Sequence, residues 1–333
     1  MQTPPDRNIA LELVRVTESA AMSAARWMGR GDKNNADKAA VDAMRLMLSS
    51  LYMDGIVVIG EGEKDKAPML YNGERIGVTQ AGITEVEENV PQIDLAVDPI
   101  DGTRLLSKGL PNALSVVTLA ERGSMFNPGP IVYMDKIAVG PEARGVIDLD
   151  APVEDNLHKI AKALGKDTCE LTVVILERPR HDKLIEEVRA CCARLKLITD
   201  GDVAGAISTA LEETGVDVLM GIGGSPEAVI TAGALQCLGG EIQARLYPRD
   251  EVEERRALEM GYDLKRVFNS QDLVHSDNIF FSATGITDGE MLEGVHYHAK
   301  YVTTHSLVLR SKSGTIRYIQ STHPIDKVNE ILS

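Results

Sequence analysis

The sequence predicts an α/β protein whose sheets are covered by helices on both faces. Three features lead there. Short aliphatic runs alternate with helical patterns along the chain. Those runs are apolar throughout rather than at every second position, as strands buried on both sides are. Each run also ends in a loop of glycine and charge, and ligands in such folds gather at the carboxyl ends of strands.

Taken in order, residues 8–28 (NIALELVRVTESAAMSAARWM) repeat their apolar positions near every 3.6 residues and predict a helix, stopped by GRGDKNN. A second helix is expected over 35–51, with Asp37 in its first turn. Five strands are predicted: IVVI (56–59) before GEGE, DLAV (94–97) before DPIDGT, LTVVIL (171–176) before ERPRH, KLIT (196–199) before DGD, and VDVLM (216–220) before GIGGSPE. Helices are expected over 181–195, 202–213 and 225–238. Beyond residue 241 a charged helix, EVEERRALEM, is followed by NIFFSAT, YVTTHSLVLR and GTIRYIQ, whose alternation suits antiparallel or edge strands. Strand and helix alternate most tightly from 171 to 240, which suggests a first domain over 1–165 and a second over 166–333.

Composition excludes several functions. The net charge of −15 opposes a basic face for nucleic acid or anionic lipid. No apolar run approaches the roughly 20 residues that cross a bilayer. The opening MQTPPDRNIALELVRV has no basic segment, apolar core and cleavage site of a signal peptide, so a cytoplasmic location is expected. Cys169, Cys191, Cys192 and Cys237 form no C-x-x-C pair and are expected to be reduced thiols. An acidic protein can still bind a phosphorylated small molecule where arginines or divalent cations invert the local field.

The strand ends supply the groups for that. In LAVDPIDGTR (95–104) a β-turn accounts for Asp98, Pro99 and Gly102 but leaves Asp101 and Thr103 without a role. If a helix begins after Gly102, its free N–H groups face whatever Asp98 and Asp101 bind, which suits a metal–phosphate pair. GEGE is either an acidic surface turn or a strand end with two glutamates that repel unless a cation or a basic partner lies between them. In GIGGSPE, Ser225 as N-cap, Pro226 as N1 and Glu227 in the first turn would start any helix. Three preceding glycines suggest a backbone that a ligand approaches closely. Arg178 and Arg180 of RPRH are either solvated charge or a phosphate fork, and DGD (200–202) is either a cap or an acceptor of sugar hydroxyls. Neither nucleotide-binding glycine signature is present, nor are HExxH, G-x-S-x-G or an EF-hand loop. The seven histidines are scattered, and the acid–glycine loops are nearly free of Cys and His, so a metal held there is a hard ion. One metal-bound phosphate site uses all five loops together.

The residues also carry a family resemblance. DPIDGT resembles the D-P-[IL]-D-G-T signature of the metal-dependent, lithium-sensitive phosphatases. GRGDKNNAD, VIGEGEKDKAPMLY, DPIDGTR, ERPRHD, DGDVA, GIGGSPE and FSATGIT together resemble the class II fructose-1,6-bisphosphatases, from about residue 29 to 287. The resemblance implies a layered α-β-α-β-α sugar-phosphatase fold with mixed sheets and an active site between its two halves. It implies hydrolysis of fructose 1,6-bisphosphate to fructose 6-phosphate with two or three Mn²⁺ or Mg²⁺ ions, a place in gluconeogenesis, and a homo-oligomer, dimer or tetramer. The alternatives are a dual enzyme that also takes sedoheptulose 1,7-bisphosphate, an inositol-phosphate phosphatase, and a non-catalytic sugar-phosphate-binding regulator. The implied metal ligands are Asp37, Glu61, Asp98, Asp101 and Glu227, with Asp98 bridging. The implied substrate contacts are Asp101, Gly102, Thr103, Tyr133, Arg178, Pro179, Arg180, Asp200, Gly201, Asp202 and Gly224. Thr103, bonded to Asp37 or Glu61, would orient and deprotonate the attacking water, with Lys33 supporting the acids. Class II members commonly carry Glu where this chain has Asp101, whereas the wider superfamily has Asp there.

Overall fold

The computed structural model describes residues 9–60, 70–78 and 90–331. Helices α1 (Ala10–Ala25) and α2 (Lys33–Ser49) come first, then strands β1 (Asp54–Ile59), β2 (Arg75–Ile76) and β3 (Gln92–Asp101), helix α3 (Thr103–Lys108), and strands β4 (Leu114–Glu121) and β5 (Tyr133–Val139). The middle carries α4 (Val153–Leu164), β6 (Thr172–Leu176), α5 (Asp182–Ala190), β7 (Arg194–Ile198), α6 (Asp202–Ser208), β8 (Val218–Gly224) and α7 (Ser225–Leu238). The remainder is β9 (Glu241–Tyr247), α8 (Glu251–Glu259), β10 (Phe268–Asn269), α9 (Ser270–Leu273), β11 (Phe280–Gly285), β12 (His296–Tyr297), β13 (Tyr301–Arg310), β14 (Thr315–Pro324) and α10 (Ile325–Ile331).

The strands form two mixed sheets. The first runs β12-β13-β11-β4-β3-β1-β2, with β14 paired to β13 over its whole length. The second runs β10-β9-β5-β8-β6-β7. Among the described strands, β1–β3, β6–β7 and β6–β8 pair in parallel, and the other pairs are antiparallel. Strands do not segregate at residue 165. β5 precedes that position and belongs to the second sheet, while β11 to β14 follow it and belong to the first.

Among the described residues, three hydrophobic cores separate the layers. One joins α1 and α2 to the first sheet through Leu13, Met44, Leu95 and Val117. A second lies between the sheets around α6 and α7, with Val116, Met134, Ile207, Val229 and Leu235. The third packs α4 and α5 on the outer face of the second sheet through Ile137, Leu157, Val173 and Val188. The order is therefore helix, sheet, helix, sheet, helix. Helix α7 shows why its sequence, SPEAVITAGALQCL, is apolar all round: it contacts strands of both sheets. Gly233 lets it lie close, since a Cβ there would sit 2.4 Å from Thr118 Cγ2.

Several expectations shift. Helix α2 starts at Lys33, capped by Asp32, whose carboxylate accepts from Asn35 N at 3.1 Å, so Asp37 stands in the second turn. Strands β3 and β8 do not stop before their glycine loops; both continue through DPID and GIGG. Pairing with β4 and β5 carries them on. Ser225 is not the N-cap of α7. Gly224 holds that place, and the Ser225 hydroxyl is buried without a hydrogen-bond partner among the described residues. Among the described residues, no helix is long and apolar enough to cross a membrane.

Candidate active site

The site begins where β3 ends. Pairing of β3 with β4 slips between Asp98 and Asp101, and such a slip breaks the strict alternation of side chains along a strand. Asp98 accepts from its own turn, Ile100 N to Oδ1 at 3.0 Å. Asp101 is buried at 3 % exposure. Burial pushes its carboxyl well above the ordinary carboxylate range, and the neighbouring charges of Asp202 and Glu227 push it further. Gly102 turns the chain at φ +95° and caps α3. Thr103 Oγ1 is shared between Asp37 Oδ1 at 3.2 Å and Ile100 O at 3.3 Å. Burial raises the Asp37 carboxyl, against the lowering effects of Thr103 and the Lys33 charge.

The two sheets are tied together by exchanged carboxylates. Asp101, from the first sheet, accepts from Ala204 N of α6 at 3.2 Å. Asp200, just before α6, accepts from Arg104 N of α3 at 3.0 Å. Each acid sits at the N-terminal turn of the other's helix, where free N–H groups favour a negative charge. Gly201, at φ +80°, caps α6 between Asp200 and Asp202. The Asp202 carboxylate accepts from Lys136 Nζ at 2.6 Å, and Lys136 also donates to Gly224 O at 3.1 Å.

Glycines 223 and 224 make room for these acids. A Cβ at Gly223 would sit 2.0 Å from Asp202 Oδ2, and one at Gly224 would sit 1.7 Å from Glu227 Oε2. Close approach explains both without any need for positive φ.

Two arginines follow β6. Arg178 donates to Thr199 O at 2.7 Å and lies 3.9 Å from Asp200. Arg180 donates to Ile222 O and stacks its guanidinium 4.7 Å from the centre of the Tyr133 ring. Pro179, in the 3-10 turn between them, leads into buried His181. Ile222 N donates to His181 Nε2 at 2.7 Å, so the ring proton resides on Nδ1 and is donated to Leu176 O at 2.6 Å. Burial lowers the pKa of this imidazole and keeps it neutral.

A cleft of about 320 Å³ is lined by Tyr133, Arg178, Arg180, Asp200, Asp202, Gly224 and Glu227, with Val132, Leu176, Gly223 and Pro226. Asp101 is an electrostatic neighbour of Asp200, Asp202 and Glu227, and Thr103 reaches Asp37. Glu61 lies outside the described residues. Among the described residues, no group of three or more His, Cys, Asp or Glu side chains is placed to hold a metal ion. The chemistry of the donors nevertheless fits a hard divalent cation. They are carboxylate oxygens, and the charges of Asp202 and Glu227 act against a charge on buried Asp101, a penalty that a cation would relieve. Sequence reasoning missed Lys136 and His181. The signal for Lys136 was a charge inside the apolar run IVYMDKIAVG, and that for His181 was its position directly after the arginine pair.

Known proteins resemble this chain over nearly its whole length. The family model described as "Bacterial fructose-1,6-bisphosphatase, glpX-encoded" matches residues 7–323. The chain is 47 % identical over 334 aligned positions to fructose-1,6-bisphosphatase 1 class 2 of Escherichia coli strain K12, covering 96 % of each chain. The same identity and coverage hold for the fructose-1,6-bisphosphatase class 2 of Shigella flexneri. With a family model matched over nearly its whole length and relatives this similar, the chain belongs to the bacterial, glpX-encoded fructose-1,6-bisphosphatase family.

Proposed function

We propose that the protein hydrolyses fructose 1,6-bisphosphate to fructose 6-phosphate and inorganic phosphate, as a gluconeogenic enzyme of the cytoplasm acting as a homo-oligomer. The observation that carries this reading is the meeting of acids and arginines at one cleft: Asp202, Glu227, Arg178 and Arg180 line it, and Asp101 is an electrostatic neighbour of the two acids. Asp101, from before residue 165, neighbours Asp200, Asp202 and Glu227, from after it, which supports an active site between these two parts of the chain.

Asp37, Glu61, Asp98, Asp101 and Glu227 would hold the metal, Mn²⁺ or Mg²⁺, two or three ions to a site. When bound, such ions offset charge on the phosphoryl oxygens and lower the pKa of an attacking water. The chain's own residues do the rest. The hydroxyl of Thr103, held by Asp37, orients the water in line with the 1-phosphate and passes its proton toward that carboxylate. The charge of Lys33 favours the ionised form of Asp37, against burial, which raises its pKa. Arg178 and Arg180 hold the far phosphate, with Pro179 fixing the turn between them, and Tyr133 supports Arg180 from beneath. Gly102, Asp200, Gly201, Asp202 and Gly224 line the sugar and accept from its hydroxyls or let it approach. Binding energy collected far from the reacting bond fixes the substrate for reaction.

The test is phosphate release from fructose 1,6-bisphosphate, sedoheptulose 1,7-bisphosphate and inositol 1-phosphate, each with Mn²⁺, with Mg²⁺ and with chelator. Metal-dependent release from the fructose ester above the others is expected. Release only from inositol phosphate, or none from any ester, refutes the reading.

A further inference from the structure

We propose that Lys136 is a positioning residue for this reaction: it fixes the Asp202 carboxylate in the orientation that receives the sugar and ties the N-termini of α6 and α7 into one rigid wall. The inference rests on the reading of Asp202 as a substrate contact.

Lysine is almost never fully buried unless it is paired, and Lys136 is 3 % exposed. It stands on the face of β5 whose neighbours, Met134 and Ala138, fill the apolar core between the sheets. A leucine or methionine would pack there without a desolvation penalty, and replacing a buried ion pair by apolar residues often leaves stability unchanged or raised. Stability alone is therefore a poor reason for this charge.

Geometry supplies a better one. The ammonium donates to Asp202, the first residue of α6, and to the carbonyl of Gly224, the N-cap of α7. One side chain thus bridges the helix that carries Asp202 to the helix that carries Glu227. The strand opposite is hollowed to admit it, because a Cβ on Gly223 would lie 2.8 Å from Lys136 Nζ as well as 2.0 Å from Asp202 Oδ2. Asp202 lines the cleft and Lys136 does not. Lys136 therefore acts through Asp202 and touches no substrate. Its positive charge is paired with Asp202, one of the acids whose charges act on Asp101.

The experiment compares wild type, Lys136→Met, Asp202→Asn and the double variant by steady-state kinetics at saturating Mn²⁺, with circular dichroism to verify folding. Lys136→Met is expected to raise KM roughly tenfold, the loss of one charge-assisted hydrogen bond, while kcat changes less than about threefold. Asp202→Asn should raise KM similarly, and the double variant should be no worse than the poorer single, because both remove the same interaction. A folded Lys136→Met with wild-type KM, or a double variant whose losses multiply, overturns the proposal. If Lys136→Met does not fold, Lys136→Arg keeps the charge but not the shape of the head group. A rise in its KM of roughly fivefold supports the positioning role, and wild-type KM overturns it. Should Asp202→Asn itself leave KM unchanged, the assignment of the sugar site fails. If Asp202→Asn raises KM and Lys136→Met does not, only the role of Lys136 fails.

Discussion

Replacing Gly224 by alanine tests the site with a single methyl group. The residue sits at φ −63°, ψ 141°, a conformation open to any amino acid. Backbone strain therefore contributes nothing. The added Cβ would lie 1.7 Å from Glu227 Oε2, and an ordinary contact needs about 3.4 Å, so the carboxylate must retreat by about 1.7 Å. Glu227 can do this by rotating its flexible arm, which costs little stability. Unfolding free energy should stay within about 1 kcal/mol of wild type. Catalysis should suffer far more, because misplacing a catalytic group by about 1 Å can cost ~10²-fold. The expected fall in kcat/KM is at least ~10²-fold, about 2.7 kcal/mol of transition-state stabilisation. The assay is phosphate release from fructose 1,6-bisphosphate across a titration of Mn²⁺, paired with urea unfolding. Gly145→Ala is the counter-case. Gly145 has φ +82° with nothing within 4 Å of the added carbon, so it should lose about 1–2 kcal/mol of stability and keep full activity. A Gly224→Ala enzyme with normal kcat/KM at every metal concentration refutes the reasoning and removes Glu227 from the site.

Other outcomes follow from the same geometry. Asp98→Asn keeps an oxygen to accept from Ile100 N, so the protein should fold with an unchanged melting temperature while turnover falls by more than ~10³-fold; retained turnover at full metal loading would move Asp98 out of the chemistry. Arg180→Ala loses the Tyr133 stack and the Ile222 bond, and KM should rise about 10- to 100-fold with kcat falling less than about fivefold; the reverse split would assign Arg180 to the reacting phosphate. His181→Asn removes a neutral ring that serves two backbone partners and should cost about 1–3 kcal/mol at pH 8. The imidazole's folded-state pKa is depressed, so its stabilisation is complete above the unfolded value near 6.5 and is lost as pH falls below it. The stability gap between wild type and His181→Asn should therefore narrow from pH 7 to 5 in urea titrations, and a constant gap would mean the ring is not held neutral.

Much of the candidate site was legible because its acids are adjacent in sequence to strand ends. DPIDGT, DGD, GGSPE and RPR each announce themselves locally, since a turn or a cap leaves some of their charges unexplained. Helix α7 was also legible, with its long apolar run. What could not be read is how these pieces meet across the layers. Strands β4 and β5 and helix α4 were not anticipated, and β5 carries both Asp135 and Lys136 in an otherwise apolar run, which defeats a periodicity argument. The extension of β8 through its glycines depends on β5 lying opposite, a long-range pairing absent from local sequence. The Ser225 capping role followed propensity, and the continued strand displaced the cap to Gly224. Lys136 has its partners 66 and 88 positions away along the chain, so only the folded arrangement could identify it.

The reciprocal seating of Asp101 on α6 and Asp200 on α3 makes the two sheets mutually dependent for their electrostatics. Sliding one against the other would deprive both acids of their amide donors in the same movement, so the reactive geometry is lost all at once instead of by degrees. Turnover in such an architecture reports on the alignment of the entire stack, and a fault introduced far from the cleft can silence the enzyme merely by shearing it.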